Sequence, residues 1–143
     1  MEREILFRGK HDPRYGTDWC YGVPYTDYEG DCIMTTGGCK QVVIEETVGQ
    51  YTGLTDKNGV KIFEGDILDL SYYMIKDVGV VKFGEYKDFD MTDDYPCGHV
   101  GFYIEIEERY HKRCYVRRDI LFFVSKCKVL GNIHDDSELL KGK

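Results

Sequence analysis

The block QYTGLTDKNGVKIFEGDIL, residues 50–68, brings glycines, carboxylates and lysines together as a phosphate-binding loop would. Such a loop needs clustered glycines and a lysine at the start of a helix, so that backbone N–H groups and the helix dipole face the anion. Here the glycines are spread among β-type residues, and the spacing favours a hairpin. Asp56 is predicted to cap its own turn, and Asn58-Gly59 supplies the two residues that accept left-handed backbone angles.

Glu64 and Asp66, in the same block, have the residue types of an acid–base pair. General acid–base catalysis also needs a cleft and shifted pKa values, and no second feature of the sequence indicates either. An aspartate after a glycine and before a strand more often accepts backbone hydrogen bonds. Gly65-Asp66 is therefore predicted to be a structural turn, and no catalytic residue is predicted in this block.

Six cysteines and four histidines provide possible metal ligands or nucleophiles. Zinc ligands are normally paired at short spacings, and only Cys97 and His99 come close to such a pair. Nothing singles out one thiol as a nucleophile. No metal or cofactor is predicted, and a metal-dependent hydrolase around His134, Asp135 and Asp136 is a third hypothesis that rests only on their adjacency.

A basic segment near the C-terminus is the candidate interaction surface. It places five positive charges within ten residues, with tyrosines between them, as on surfaces that stack nucleic-acid bases. Acidic residues precede it, so a solvated hairpin tip with partly cancelling charges is the alternative reading. The segment could also meet the acidic residues 88–94 of a neighbouring subunit. Its residues are Arg109, Tyr110, Lys112, Arg113, Tyr115, Arg117 and Arg118.

The elements that would hold these residues are mainly short β-strands. Strands are predicted in residues 4–10, on both sides of Gly37-Gly38 and of Asn58-Gly59, and most clearly in residues 100–110, where apolar and polar residues alternate. Residues 11–22 are predicted as a loop, and residues 87–99 as a long acidic loop. The tail is predicted to form a short helical turn from which Leu139 and Leu140 dock back. This pattern indicates a mainly β fold, most economically closed as a small barrel.

The length, composition and net charge of the chain limit its cellular setting and the class of its partner. A chain of 143 residues with 42% hydrophobic residues can bury a core without disulfides. A net charge of −7 disfavours a partner bound mainly through phosphates, although nucleic acid stays possible. No apolar run approaches the roughly 20 residues that span a bilayer, and no secretion signal is present. The protein is therefore predicted to be cytoplasmic, with reduced thiols and no membrane partner.

The segments ETVGQYTGLTDKNGVKIFEGDIL and VLGNIHDDSELL, with EILFRGK and Trp19 ahead of them, resemble the YopX family of small phage and prophage proteins. The resemblance implies an SH3-type barrel encoded by a phage or prophage in a bacterial host. It carries over no catalytic residue. On this reading residues 1–45 are a β segment packing on or extending the barrel, residues 46–143 form the barrel, and the whole is one compact unit.

These observations predict a non-enzymatic accessory protein, a β module that self-associates as a homo-oligomer or binds a host or phage protein. The abundance of tyrosine, 12 in all, suits protein interfaces. The alternative function is a small nucleic-acid-binding barrel that uses the basic segment of residues 109–118.

Overall fold

The computed structural model describes residues 4–71, 78–86, 98–108, 114–120 and 126–140, with the backbone alone for residues 107, 108 and 114–119. Within these residues the chain is mainly β, and its helical structure includes two short 3₁₀ turns, Glu45–Thr47 and Ser137–Leu140. The described strands are β1 Phe7–Lys10, β2 Trp19–Thr26, β3 Cys32–Thr36, β4 Cys39–Val42, β5 Gly49–Thr55, β6 Lys61–Phe63, β7 Asp66–Asp69, β8 Val78–Tyr86, β9 His99–Glu108, β10 Cys114–Asp119 and β11 Lys128–Asn132.

The strands form two antiparallel sheets, ordered β4-β3-β2-β1-β5-β6 and β10-β9-β8-β7-β11. The prediction of a mainly β fold made of short antiparallel strands and hairpins is confirmed. Within the described residues neither strand order closes on itself, so the predicted closed barrel is not what these strands form. Closure depends on which distant strands pair, and a two-residue periodicity does not encode that choice.

The chain divides into two compact units, Met1–Gly53 and Leu54–Lys143. In the first unit, Val43 forms a β-bridge with His11, just beyond the end of β1. Two backbone hydrogen bonds, Asp12 N–H to Val42 O at 2.9 Å and Ile44 N–H to Lys10 O at 2.8 Å, reinforce that bridge. The strands thereby curl around a core of Cys20, Met34 and Val43, against which Phe7, Cys32 and Val48 pack.

The second unit has a larger apolar core built from alternate residues of its strands. Leu68 and Leu70 come from β7 and the residue after it, Val81 from β8, and Ile104 from β9. Val81 and Ile104 are direct partners in the β8–β9 ladder, so their side chains share the inner face of the sheet. The rest of this core consists of Ile62, Ile106, Ile120 and Cys127.

Two turns of this unit form in the block of residues 50–68. Gly59 has φ of 81° and donates its N–H to Asp56 O at 3.0 Å, between β5 and β6. Gly65 has φ of 91°, and the carboxylate of Asp66 accepts the Phe63 N–H at 2.8 Å. Both glycines occupy the left-handed region that side chains with a Cβ rarely adopt.

The prediction of a loop for residues 11–22 is wrong from Trp19 onward, because strand β2 begins there. Pro24 and Gly22 make this strand look like a loop. The structure accommodates Pro24 because β2 pairs with β1 only through Trp19–Gly22 and with β3 only through residues 23–26. Pro24 therefore lies where the strand has one ladder partner, and its missing N–H is tolerated.

The C-terminal helical turn is present as the 3₁₀ turn Ser137–Leu140, but Leu139 is 37% exposed and does not dock back as predicted. Most of the predicted acidic loop, residues 87–97, lies outside the described residues, and His99 already belongs to β9. The domain boundary predicted at residues 45 and 46 stays a prediction. No helix in the described part of the chain is long and apolar enough to cross a membrane.

Candidate interaction surface

Strand β2 presents a row of exposed side chains that we call the β2 face: Tyr21, Val23 and Tyr25. They alternate along the strand, so all three point to the same side of the sheet, away from the core residue Cys20. Their exposed fractions are 44%, 56% and 40%. Large apolar side chains on a packed sheet face are usually covered, so a contiguous exposed row marks a candidate binding surface.

The strands beside β2 extend this face. Thr35 lies opposite Val23 and Ile33 opposite Tyr25 in the β2–β3 ladder, and ladder partners project to the same side. At the other end of β2, the Arg8 guanidinium lies 4.8 Å from the ring centroid of Trp19. Cation–π contacts of this kind hold an aromatic ring in place. The face is therefore a mixed aromatic and aliphatic surface.

A groove of about 550 Å³ lies at the end of the β2 face, where the chain turns from β2 into β3. We call it the β2–β3 groove. Buried Ile33 contributes an apolar wall, and Tyr28 is fully exposed. Its lining residues are Tyr25, Thr26, Asp27, Tyr28, Glu29, Ile33 and Lys40.

The turn beside this groove carries three carboxylates, Asp27, Glu29 and Asp31, with one oxygen of each within 4.8 Å of the others. Asp27 Oδ1 accepts the backbone N–H groups of Glu29 at 3.0 Å and Asp31 at 2.9 Å, which fixes the turn. Among the described residues this is the one group of three that could hold a metal ion. Calcium takes six to eight oxygen ligands, so three carboxylates, of which Glu29 is exposed and the two aspartates are half-buried, are an incomplete set.

Cys20 and His11 have the residue types of a nucleophile and its base, with Sγ 3.4 Å from Nδ1. His11 Nδ1 also lies 3.1 Å from the carbonyl oxygen of Asp18, so Nδ1 must carry the proton in that contact. The thiol instead donates to Gln41 Oε1 at 3.0 Å. Burial, and then the charge of Asp18, raise the pKa of the Cys20 thiol. This arrangement does not activate a nucleophile.

The acidic residues near the C-terminus build a turn. Asn132 Oδ1 accepts the backbone N–H groups of His134 and Asp135, each at 3.0 Å. Asp136 Oδ2 accepts the Asn132 N–H at 3.1 Å. These hydrogen bonds give the backbones of His134 and Asp135 and the Asp136 carboxylate a structural role in the turn. A hydrolase role for the three side chains stays a prediction.

The predicted basic surface lies largely outside the described residues, since Arg109, Tyr110, Lys112 and Arg113 fall in residues 109–113. The backbones of Tyr115, Arg117 and Arg118 belong to β10, an outer strand of the second sheet. In the ladder with β9, Tyr115 pairs with Glu107 and Arg117 with Glu105. The role of this segment in binding stays a prediction.

The β2 face was not predicted from the sequence, although a signal exists. WCYGVPYT places an aromatic or β-branched residue at every second position from Trp19 to Tyr25. Gly22 and Pro24 on the intervening positions obscured the alternation, because both residues are typical of loops.

The fold and this surface define a mainly β protein with two antiparallel sheets and an exposed tyrosine-rich face. Its sequence matches the YopX protein family over residues 26–141, so the chain belongs to that family and the predicted resemblance is confirmed. No curated protein matches the chain. Among solved structures it is similar to protein EF1440 from Enterococcus faecalis, at 23% identity over 97% of this chain and 99% of that chain, with a TM-score of 0.42.

Proposed function

We propose that this chain is a non-catalytic interaction module that self-associates or binds another protein through the β2 face. The observation that carries the proposal is the exposure of Tyr21, Val23 and Tyr25 side by side on one strand. Tyrosine contributes a large, rigid contact area with few rotatable bonds and a hydroxyl that bonds at a wet rim. Residues of this type dominate the energetics of many interfaces.

Two features of the described residues support the absence of catalysis. The Cys20 thiol has a raised pKa and a hydrogen bond to Gln41, so it is a weak nucleophile. Asp66 is buried, and its carboxylate accepts a backbone N–H, which is a structural use of the group. Neither of these side chains offers a reactive atom to a substrate.

The proposal also covers where the protein is encoded and how its strands are arranged. Membership of the YopX family supports a phage- or prophage-encoded accessory protein in the bacterial cytoplasm. The bridge between Val43 and His11 supports a curled sheet in the first unit. The SH3-type barrel that the resemblance implies is assigned to residues 46–143, so this bridge does not bear on it.

A matched set of variants tests the proposal. The double variant Tyr21→Ser/Tyr25→Ser removes both rings of the β2 face, whereas Tyr15→Ser removes a ring that is 64% exposed elsewhere in the same unit. Sedimentation velocity across a concentration series measures self-association. Photo-crosslinking from position 23 in the producing cells, compared with position 15, measures contact with other proteins.

We expect association or a position-specific crosslink in the unaltered protein and in Tyr15→Ser, and its loss in the double variant. Circular dichroism of the double variant serves as the control for folding. A protein that stays monomeric at every concentration and forms no crosslink specific to position 23 would contradict the proposed function.

The second candidate function is nucleic-acid binding through residues 109–118. Its support is the density of positive charge and the location of β10 at the outer position of its sheet. Such binding weakens steeply with salt, because phosphate contacts release counterions. If neither single- nor double-stranded oligonucleotides bind at low salt, this candidate is excluded.

A further inference from the structure

The walls of the β2–β3 groove combine two chemistries that suit one class of ligand. Tyr25 and Tyr28 contribute aromatic rings, and Ile33 contributes an apolar wall. Asp27 and Glu29 line the same groove and place carboxylates beside those rings. Aromatic faces and carboxylates both attract cations, whereas an anionic or purely apolar ligand would leave the carboxylates without compensation.

The same unit shows this mode of recognition within its own chain. The Arg14 guanidinium donates from Nε to Asp12 Oδ1 at 3.0 Å and from Nη2 to Asp12 Oδ2 at 2.9 Å. Its central carbon lies 5.4 Å from the ring centroid of Tyr15. A carboxylate and a tyrosine ring therefore hold one guanidinium together, with the bidentate geometry that favours arginine over lysine.

We propose that the β2–β3 groove binds an arginine side chain on an extended, basic segment of a partner protein. This inference rests on the proposed function and names the chemistry of the partner that adjoins the β2 face. The guanidinium would stack on the rings of Tyr25 and Tyr28 while the carboxylates of Glu29 and Asp31 compensate its charge. The rest of the segment would lie along the exposed Tyr21–Val23 row, which is continuous with the groove.

Charge complementarity supports this occupant. The carboxylates of Asp27 and Glu29 line the groove, with that of Asp31 within 4.8 Å of them, and Lys40 is the one cation among the lining residues. The chain as a whole carries a net charge of −7, which steers basic partners toward it. The charge of Lys40 opposes a cationic ligand, so its removal should tighten binding, whereas removal of the Glu29 and Asp31 charges should weaken it.

The test uses the full chain and two labelled heptapeptides in which glycine alternates with three arginines or with three citrullines. Citrulline keeps the shape of arginine without its charge, so the comparison isolates the cation. Fluorescence anisotropy gives the affinity, and amide chemical shifts locate the site. We expect the arginine peptide to bind at least about tenfold more tightly and to shift the amides of residues 25–33.

Three variants make the test specific. Glu29→Gln/Asp31→Asn should weaken arginine-peptide binding about fivefold or more, and Lys40→Ala should strengthen it about twofold. The matched control, Glu45→Gln/Glu46→Gln, removes the same net charge from two exposed residues outside the groove and should leave binding nearly unchanged. Each of the two double variants replaces a carboxylate with the amide of the same size, so neither is expected to disturb the fold.

The outcomes separate this inference from the proposed function. Equal weakening by the two charge pairs would mean that only net charge matters, and would overturn the inference. Shifts of the same amides by Ca²⁺ alone, with no response to the peptide, would assign the groove to a metal ion and also overturn it. Absence of peptide binding, while Tyr21→Ser/Tyr25→Ser still abolishes association or crosslinking, would overturn the inference and leave the proposed function intact.

Discussion

Asp56 illustrates how one carboxylate holds two distant parts of the second unit together. Its Oδ1 accepts the N–H groups of Asn58 at 2.8 Å and Val60 at 2.9 Å, which fixes the turn between β5 and β6. Its Oδ2 accepts the N–H of Val129 in β11 at 2.9 Å. Asp56 is 6% exposed, so each of these bonds forms largely out of water and the loss of one is costly.

Replacement of Asp56 by asparagine should destabilise the protein by about 2 kcal/mol, because the amide nitrogen would face the Val129 N–H donor to donor. The amide oxygen can still accept the two bonds within the turn. Urea denaturation at pH 7 measures the change. Asp27→Asn is the matched control, since Asp27 Oδ1 also fixes a local turn, and we expect it to cost less than about 0.5 kcal/mol.

The same variant should alter the acid stability of the protein. Burial raises the pKa of Asp56, but the hydrogen bonds from the N–H groups of Val129, Val60 and Asn58 together lower it by more. The pKa of Asp56 therefore lies below its ordinary value. A carboxyl with a depressed folded pKa stabilises the fold above its unfolded pKa, about 3.9, and loses that contribution as pH falls through the folded pKa. The free energy of unfolding should therefore decrease below about pH 4, and less steeply in Asp56→Asn. Equal acid sensitivity of the two proteins would contradict this role.

Strand β2 shows which parts of an element can be read from sequence. The predicted strand before Gly37 is confirmed as β3, because local turn chemistry marks where it ends. The predicted alternation in β9 is confirmed as well, because a two-residue periodicity encodes it. Strand β2 itself was missed, since Pro24 is acceptable there only because the strand pairs with β1 through one half and with β3 through the other. The β2 face was missed with it, because exposure is a property of the packed sheet and not of the strand.

The β8–β9 hairpin contains two glycines whose replacement should have different effects. A methyl group added at Gly79 would overlap Cγ2 of Ile104 and lie 3.0 Å from Cδ1 of Leu70, inside the core. A methyl group at Gly101 would meet no atom of the described residues within 4 Å. Both glycines are paired in the same ladder, so strand propensity is matched between them.

We expect Gly79→Ala to lower the free energy of unfolding by about 1–3 kcal/mol through overpacking. Gly101→Ala should be neutral or slightly stabilising, because it restricts the unfolded chain at no cost to packing. Thermal and urea denaturation of both variants provide the comparison. A neutral Gly79→Ala would mean that β8 and β9 are not packed as described.

The chain as a whole is less predictable than its strands. The pairing of β7 with β11 joins Asp66 to Asn132, and no local pattern in either segment identifies the other as its partner. The separation of the strands into two sheets follows from such distant pairings. The basic segment was found from charge alone, whereas the β2–β3 groove required Tyr25, Ile33 and Lys40 from three strands to be brought together.

Thiol reactivity provides a test of the packing in both units. Cys39 is exposed, whereas Cys20 is buried in the first unit and Cys127 in the second. Burial, and then the charge of Asp56, raise the pKa of Cys127 to about 11, so little of it is the reactive thiolate near neutral pH. Each buried thiol therefore reports the opening of its own unit.

With iodoacetamide at pH 8, Cys39 should react before Cys20 and Cys127, and Cys127 should react at least about a thousandfold more slowly than Cys39. Mass spectrometry of proteolytic fragments measures both rates, and labelling in urea gives the reference for accessible thiols. Comparable native rates for Cys39 and Cys127 would contradict the described core.

The hydrogen bond from Val129 to Asp56 also limits how early the second unit can complete its fold while the chain is being synthesised. Its two residues are separated by 73 positions in the chain. At about 5–20 residues per second, a ribosome takes roughly 4–15 seconds to make that interval, and during it the Asp56 carboxylate lacks its third donor. All residues of the first unit precede Asp56 in the chain, whereas the second unit cannot form this hydrogen bond until Val129 has been synthesised.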